Sequence, residues 1–278
     1  MTGLLEAVVG KAKKGRNAQE RMNLLREALH HLILQEVDRK GGFSKICFLG
    51  GTALRVVYGL DRFSEDLDFS TSSTLEKRFD LEPLVRSVET SLRAFGFDGR
   101  AEKLDTEQNV QKCFFSFRGL LHDVDRAFRD NQKLAIKFDV DSRPPAGAVE
   151  TVSPITGERV YKIRHYDLPS LFAGKLHAVL FRVYTKGRDL YDFLWYVGRG
   201  TKVNGTLLEN AIEQTEDAKV ELTDENLREM LIKRFLEIDF EKAKKDVSPF
   251  LIDTGALSAF EPPVFEAACR KISLQTRD

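Results

Sequence analysis

Cysteine is scarce in this sequence: Cys47, Cys113 and Cys269 are the only three among 278 residues, and they lie far apart. That spacing excludes a disulfide framework and a cysteine-based zinc site. Long apolar runs are missing as well, since none approaches the roughly 18–20 residues that cross a bilayer. Net charge is zero, because 43 Lys and Arg balance 43 Asp and Glu, which excludes a polyelectrolyte tail. Repeats and low-complexity tracts are absent. The opening MTGLLEAVVGKAKKGR puts its apolar stretch before its basic cluster, the reverse of a secretory signal. These absences predict a cytoplasmic protein with no membrane partner. What the chain does have is filling for a core: 42% of it is hydrophobic, with 20 phenylalanines. That is enough for one large domain or two modest ones.

The balanced charge is unevenly distributed. Residues 1–60 carry 10 basic and 5 acidic side chains, and residues 61–158 carry 14 and 19. Residues 159–199 carry 8 and 3, and residues 201–278 carry 11 and 16. An acidic block followed by a basic one suits a site that holds a metal ion and a polyphosphate together.

Apolar spacing predicts an amphipathic helix over 18–38 and a short strand at 46–49, followed by a helix over 53–58 that Gly59 stops. A strand starting near Ser64 contains Leu67-Asp68-Phe69. A helix over 82–95 and a turn at 96–99 follow, then strands at 110–118 and 134–141, the second alternating cleanly. Residues 143–147 break the chain and 151–157 read as turn. Beyond them Asp167 caps a helix running to about residue 184. Further helices are predicted at 189–197, 205–216, 224–237, 239–245 and 263–272.

Chemistry concentrates first in Gly50-Gly51-Thr52 and, thirteen residues later, in Ser64-Glu65-Asp66-Leu67-Asp68. Aspartates at i and i+2 of a strand share a face about 7 Å apart. Bare, such a pair repels itself, and a hard divalent cation removes that penalty. Glycines let backbone approach a phosphate, and Thr52 offers a hydroxyl at a helix start. A phosphate-cradling turn followed by an Asp-x-Asp strand is what nucleotidyl transfer needs, with metal bridging the nucleotide and the attacking hydroxyl. Such a site calls for a third carboxylate, and Ile136-Lys137-Phe138-Asp139-Val140-Asp141 supplies two candidates on one face. Lys175, among Leu171, Phe172, Leu176 and Val179, emerges at the edge of an apolar face. A placed ammonium there can stabilise a pyrophosphate leaving group. Asp189 and Asp192 share a helix face. Arg182, Lys186 and Arg188 form a cationic edge suited to phosphate or RNA, as do Lys11, Lys13, Lys14 and Arg16. His177 is given no role.

The stretch 48–55, Phe-Leu-Gly-Gly-Thr-Ala-Leu-Arg, with 62–69, Arg-Phe-Ser-Glu-Asp-Leu-Asp-Phe, closely resembles the AbiEii/AbiGii nucleotidyltransferase toxins. Those and the related MenT toxins belong to the polymerase-beta-like nucleotidyltransferase superfamily. Thr52 stands where the superfamily loop usually has serine. The resemblance runs over roughly residues 25–200, and it includes the Lys-x-x-Ala helix at Lys175 and the Arg-Asp-apolar-x-Asp-apolar signature at 188–193. It implies that Asp66, Asp68 and Asp139 hold Mg²⁺ or Mn²⁺, with Asp141 the alternative to Asp139. Lys175 would reach the triphosphate of an NTP. Asp189 would orient Lys175 or Arg188 and contact the nucleotide, while Asp192 caps or pairs internally. Gly50, Gly51, Thr52, Arg62, Ser64, Lys175 and Arg188 are then the candidates for holding the nucleotide.

The resemblance implies an α+β fold. Residues 1–158 would form a polymerase-beta-like core, a mixed sheet flanked by helices, and residues 159–278 a mostly helical domain carrying Lys175 and Asp189, with the site in the cleft between. It also implies an enzyme that transfers NMP from an NTP to an acceptor hydroxyl, foremost the tRNA 3′ end, and releases pyrophosphate. Such an enzyme would be the toxin of a type IV toxin–antitoxin or abortive-infection pair, with an AbiEi-like antitoxin as partner. The competing readings are an acceptor that is a small molecule or a protein, a nucleotide-binding module without turnover, and a helical scaffold with accidental motifs.

Overall fold

The computed structural model describes residues 3–156 and 160–276. The basic start of the chain contains α1 (Gly3–Ala12), whose Leu5, Val8 and Val9 are buried. It packs on α2 (Ala18–Arg39), which opens where the Asn17 side chain accepts from the Glu20 N–H. Lys11, Lys13, Lys14 and Arg16 are exposed around the end of α1. Next come β1 (Ile46–Leu49), α3 (Gly50–Tyr58), β2 (Leu67–Thr71) and α4 (Glu82–Ala94). They are followed by β3 (Gly99–Asp105), β4 (Val110–Phe117), α5 (Leu120–Val124) and β5 (Leu134–Asp141). β6 (Glu150–Ile155) and β7 (Tyr161–Tyr166) complete one seven-stranded sheet of order β3-β4-β5-β2-β1-β7-β6. β2 pairs β5 and β1 pairs β7 in parallel, whereas β1–β2, β3–β4 and β4–β5 are antiparallel. The sheet is therefore mixed, as expected.

Several boundaries differ from the expectation. α3 starts at Gly50 rather than 53, so both glycines lie in its first turn. β2 starts at Leu67 rather than near Ser64, and residues 151–155 are strand rather than turn. Gly157, the end of that predicted turn, and the boundary expected after residue 158 lie outside the described residues. The chain divides into one unit of residues 1–59, 63–144 and 150–165 and a second of 60–62, 145–149 and 166–278.

The core of the first unit lies on the face of the sheet that carries Phe69, Phe115 and Phe138. Phe69 stacks on Phe138 at 4.5 Å, and Phe115 meets Phe138 edge-on at 5.9 Å. Such ring pairs lock neighbouring strands together.

The second unit is helical: α6 (Leu168–Phe181), α7 (Gly187–Gly198), α8 (Gly205–Glu216), α9 (Asp224–Leu236), α10 (Phe240–Val247) and α11 (Pro262–Cys269). Asp167 caps α6 by accepting from the Ser170 N–H, the predicted cap. Phe172 stacks on Tyr196 at 4.3 Å. Phe193, Phe235, Phe240, Phe260 and Phe265 form the aromatic core that joins α7, α9, α10 and α11. Among the described residues no helix is long and apolar enough to cross a membrane.

Candidate active site

Register decides which carboxylates meet. On β2 and β5 the paired positions are Leu67–Phe138, Asp68–Asp139, Phe69–Val140 and Ser70–Asp141. Paired residues on parallel neighbours sit about 4.8 Å apart, with side chains on the same face. Asp68 and Asp139 thus stand side by side, opposite the buried ring pair that fixes their strands. Asp141 faces Ser70 instead, and its carboxylate accepts from the Arg143 N–H. Burial pushes the Asp141 carboxyl above its usual range.

The glycine–threonine turn positions this pair. Gly50 has φ 79°, and a Cβ there would lie 2.5 Å from Oδ2 of Asp68. The Asp68 carboxylate therefore rests against the first residue of α3, where the positive end of the helix favours an anion. Thr52, expected to offer its hydroxyl to phosphate, is 1% exposed, and its Oγ1 donates to the Asp66 carbonyl. The hydroxyl is spent on the backbone of the Asp-x-Asp segment. Arg55 in the same helix lies over the Phe63 ring at 5.2 Å and pairs with Glu27 at 2.6 Å. Gly51 and Ser64 are half-buried.

Two residues of α2 hold the same segment from the other side, and sequence reasoning missed both. His30 Nε2 lies 3.0 Å from the Glu65 carbonyl, and Arg26 reaches Glu65 at 3.6 Å. Burial pushes the His30 pKa down to about 3, against the hydrogen bond to Glu65, which raises it. A neutral ring donating Nε2–H to that carbonyl follows. On an amphipathic helix a histidine facing inward carries no local signal that it braces a loop 35 residues on.

Among the described residues, no group of three or more His, Cys, Asp or Glu side chains has metal-ligating geometry. Asp139 nevertheless carries the mark of a ligand: its Oδ1 is buried without a hydrogen-bond partner. A buried carboxylate oxygen left bare is costly unless a cation or donor meets it. Its Oδ2 accepts from the Lys137 ammonium. Burial of that ammonium lowers its pKa, but the bond to Asp139 and the charges of Asp139, Asp66 and Asp68 outweigh burial and raise it. An oxygen-rich, acidic donor set with one open carboxylate oxygen fits a hard divalent cation.

In the second unit Lys175 is 12% exposed and its Nζ lies 2.7 Å from Oδ1 of Asp189 and 2.8 Å from Oδ2 of Asp192. Arg62, an expected nucleotide contact, is instead buried at 2% exposure. Its Nε and Nη2 donate to the two oxygens of Asp192 at 2.7 and 2.6 Å. That fork uses the guanidinium face a phosphate would need, so Arg62 braces Asp192 and Lys175. Asp192 pairs with Arg62 and Lys175, and Asp189 pairs with Lys175. Arg182 pairs with Asp189 from the end of α6. Burial raises the Asp189 pKa, but the charges of Lys175 and Arg182 outweigh it and hold the carboxyl below its usual range. Three cations against two carboxylates leave the cluster one positive charge. Arg188 lies over the Phe250 ring at 4.2 Å, and His177 bonds Thr215 at 2.8 Å.

A helix that begins with Gly-Gly-Thr and seats Asp68 of a mixed sheet, with Asp66 just before the strand, is the frame of a nucleotidyltransferase, and the protein is of that class. Residues 32–270 match the family model described as nucleotidyl transferase AbiEii toxin of a type IV toxin–antitoxin system. The chain belongs to that family. Its fold is similar to that of a candidate nucleotidyltransferase from H. pylori, with a TM-score of 0.51 and 19% identity over 89% of this chain and 94% of that one. JHP933 from Helicobacter pylori is similar at a TM-score of 0.50 and 20% identity, over 90% of this chain and 92% of that one. At such identities the likeness is one of fold. No curated protein sequence matches the chain.

Proposed function

We propose that this protein is the toxin that transfers a nucleoside monophosphate from an NTP to an RNA acceptor hydroxyl, foremost the tRNA 3′ end, and releases pyrophosphate. The observation that carries this reading is the pairing of Asp68 with Asp139, whose Oδ1 is bare and buried. Asp66, Asp68 and Asp139 would hold Mg²⁺ or Mn²⁺. Bound there, a divalent ion neutralises phosphate charge and makes the acceptor hydroxyl easier to deprotonate. The backbone of Gly50 and Gly51 at the α3 N-terminus meets phosphate oxygens. Lys175, kept charged and aimed by Asp189 and Asp192, stabilises negative charge on the departing pyrophosphate. Family membership implies an antitoxin partner, and an AbiEi-like protein is the candidate.

The test is incubation of the protein with each α-labelled NTP, Mg²⁺ and total RNA. Label should enter the tRNA fraction with one or more NTPs, and Asp68→Ala should reduce it to background. Label in protein or in a small molecule would replace the RNA acceptor. Pyrophosphate release equal in wild type and Asp68→Ala would remove catalysis from these carboxylates.

A further inference from the structure

Asp68 and Asp139 stand side by side on two central strands of the sheet, and one side chain already answers them and Asp66. Lys137 precedes Asp139 by two residues on β5 and projects from the same face. Its ammonium is bonded to Oδ2 of Asp139, and the charges of Asp66 and Asp68 act on it too. The Lys137 side chain is 37% exposed whereas that of Asp139 is 14% exposed, so the lysine is the more solvent-accessible member of the pair. We propose that Lys137 is the resident cation of this cluster, weakening the hold on a divalent ion until nucleotide is bound, and that it must release Oδ2 of Asp139 for full metal ligation. The proposal rests on reading Asp66, Asp68 and Asp139 as metal ligands.

The physical argument is competition. A monovalent ammonium tethered beside three carboxylates cancels part of their field and occupies one ligand oxygen. Any incoming dication meets both its repulsion and the missing oxygen. An NTP brings negative charge of its own, which restores the attraction. Metal then binds well together with nucleotide and poorly without it. That arrangement keeps the empty site from repelling itself and ties ion uptake to substrate.

The experiment measures Mn²⁺ affinity by titration calorimetry or Mn²⁺ EPR on the full chain, first without nucleotide and then with NTP, for wild type, Lys137→Met, Lys137→Arg and Asp139→Asn. Without nucleotide, Lys137→Met should bind Mn²⁺ at least about tenfold more tightly than wild type. The gap between the two should narrow with NTP, and an unchanged gap would overturn the link to nucleotide. Lys137→Arg, which keeps the charge, should stay near wild type. In metal-free buffer Lys137→Met should melt below wild type, and Mn²⁺ should raise its melting temperature by more. Equal or weaker Mn²⁺ binding by Lys137→Met would overturn the proposal, and so would tighter binding by Lys137→Arg to the same extent. If wild type and Lys137→Met bind alike and Asp139→Asn binds less, only the role of Lys137 falls. If no variant binds Mn²⁺ with or without NTP, the metal reading of the site falls with it.

Discussion

At Gly50 two independent constraints exclude a side chain. The backbone is left-handed, and any Cβ would press on Oδ2 of Asp68 from 2.5 Å away. The first is a conformational cost of about 1–2 kcal/mol for a non-glycine residue. The second is functional, because the clashing atom belongs to a proposed metal ligand. Gly50→Ala should therefore lose about 1–2 kcal/mol of stability in urea denaturation. Its nucleotidyl transfer should fall far more, by about 10²-fold, since a carboxylate displaced by an ångström loses its alignment. A variant that is destabilised yet transfers at the wild-type rate would show that the seat of Asp68 against α3 does not matter. Thr52 makes a similar point. Its motif position suggested a phosphate contact, but burial directs the hydroxyl to the Asp66 carbonyl. A motif can keep its place in a site while the atom-level role shifts from ligand to brace.

Helix α2 shows what an element contributes beyond its own stability. It buries His30 as a neutral ring, with Arg26 and His31 on the same helix and the Glu65 carbonyl facing it. The folded pKa, about 3, lies well below the unfolded value of 6.5. A depressed histidine contributes stability that is complete above the unfolded value and is lost as pH falls toward the folded one. His30→Gln keeps an N–H donor and does not titrate. Between pH 6.5 and 4 wild type should lose about 3 kcal/mol more stability than this variant, read by denaturant unfolding at both pH values. Parallel losses in the two proteins would place a charged, solvated ring at position 30. Legibility in the sequence follows from locality. α2, β5 and α8 were readable because their apolar period is complete within the segment, and α6 because Asp167 caps it. β3 was not, since Gly99–Asp105 has no apolar alternation to betray a strand. β7 does alternate, but through Tyr161 and His165 around Ile163, residues whose burial depends on partners elsewhere. The Asp-x-Asp pair was legible as chemistry, and the family resemblance already put Asp139 ahead of Asp141; the register that sets Asp139 beside Asp68 is written in no local pattern.

At the scale of the whole chain, the second unit takes in residues 60–62, far in sequence from its helices. There the Arg62 backbone bridges Leu251 and its side chain pairs with Asp192, 130 residues on, partnerships no local pattern encodes. Both side chains are almost wholly buried, at 2% and 0% exposure. Asp192 also pairs with Lys175, so removing its carboxylate takes the acidic partner from the buried Arg62 and leaves Lys175 with Asp189 alone. Breaking one side of such a pair costs about 3–5 kcal/mol, because the remaining charge has no water to turn to. Asp192→Ala should lose stability on that scale in denaturant unfolding. Asp189→Ala should lose less, since Lys175 keeps Asp192 at 2.8 Å and the other partner, Arg182, reaches solvent, where pairs contribute little. The pH dependence carries the same signature. Asp189 is held below the 3.8 of a free aspartate, so its contribution is present above that pH and lost as pH falls through the lowered value. For Lys175 burial lowers the pKa, but Asp189 and Asp192 outweigh it and hold it above 10.5; its contribution is present below that pH and lost as pH rises through the raised value. Stability from this cluster should therefore be flat between about pH 5 and 10 and fall on either side. In Asp189→Asn the acid-side fall should be smaller. If Asp192→Ala unfolds with wild-type stability, the buried pair does not hold the unit together, and Arg62 is free to serve the nucleotide as first expected.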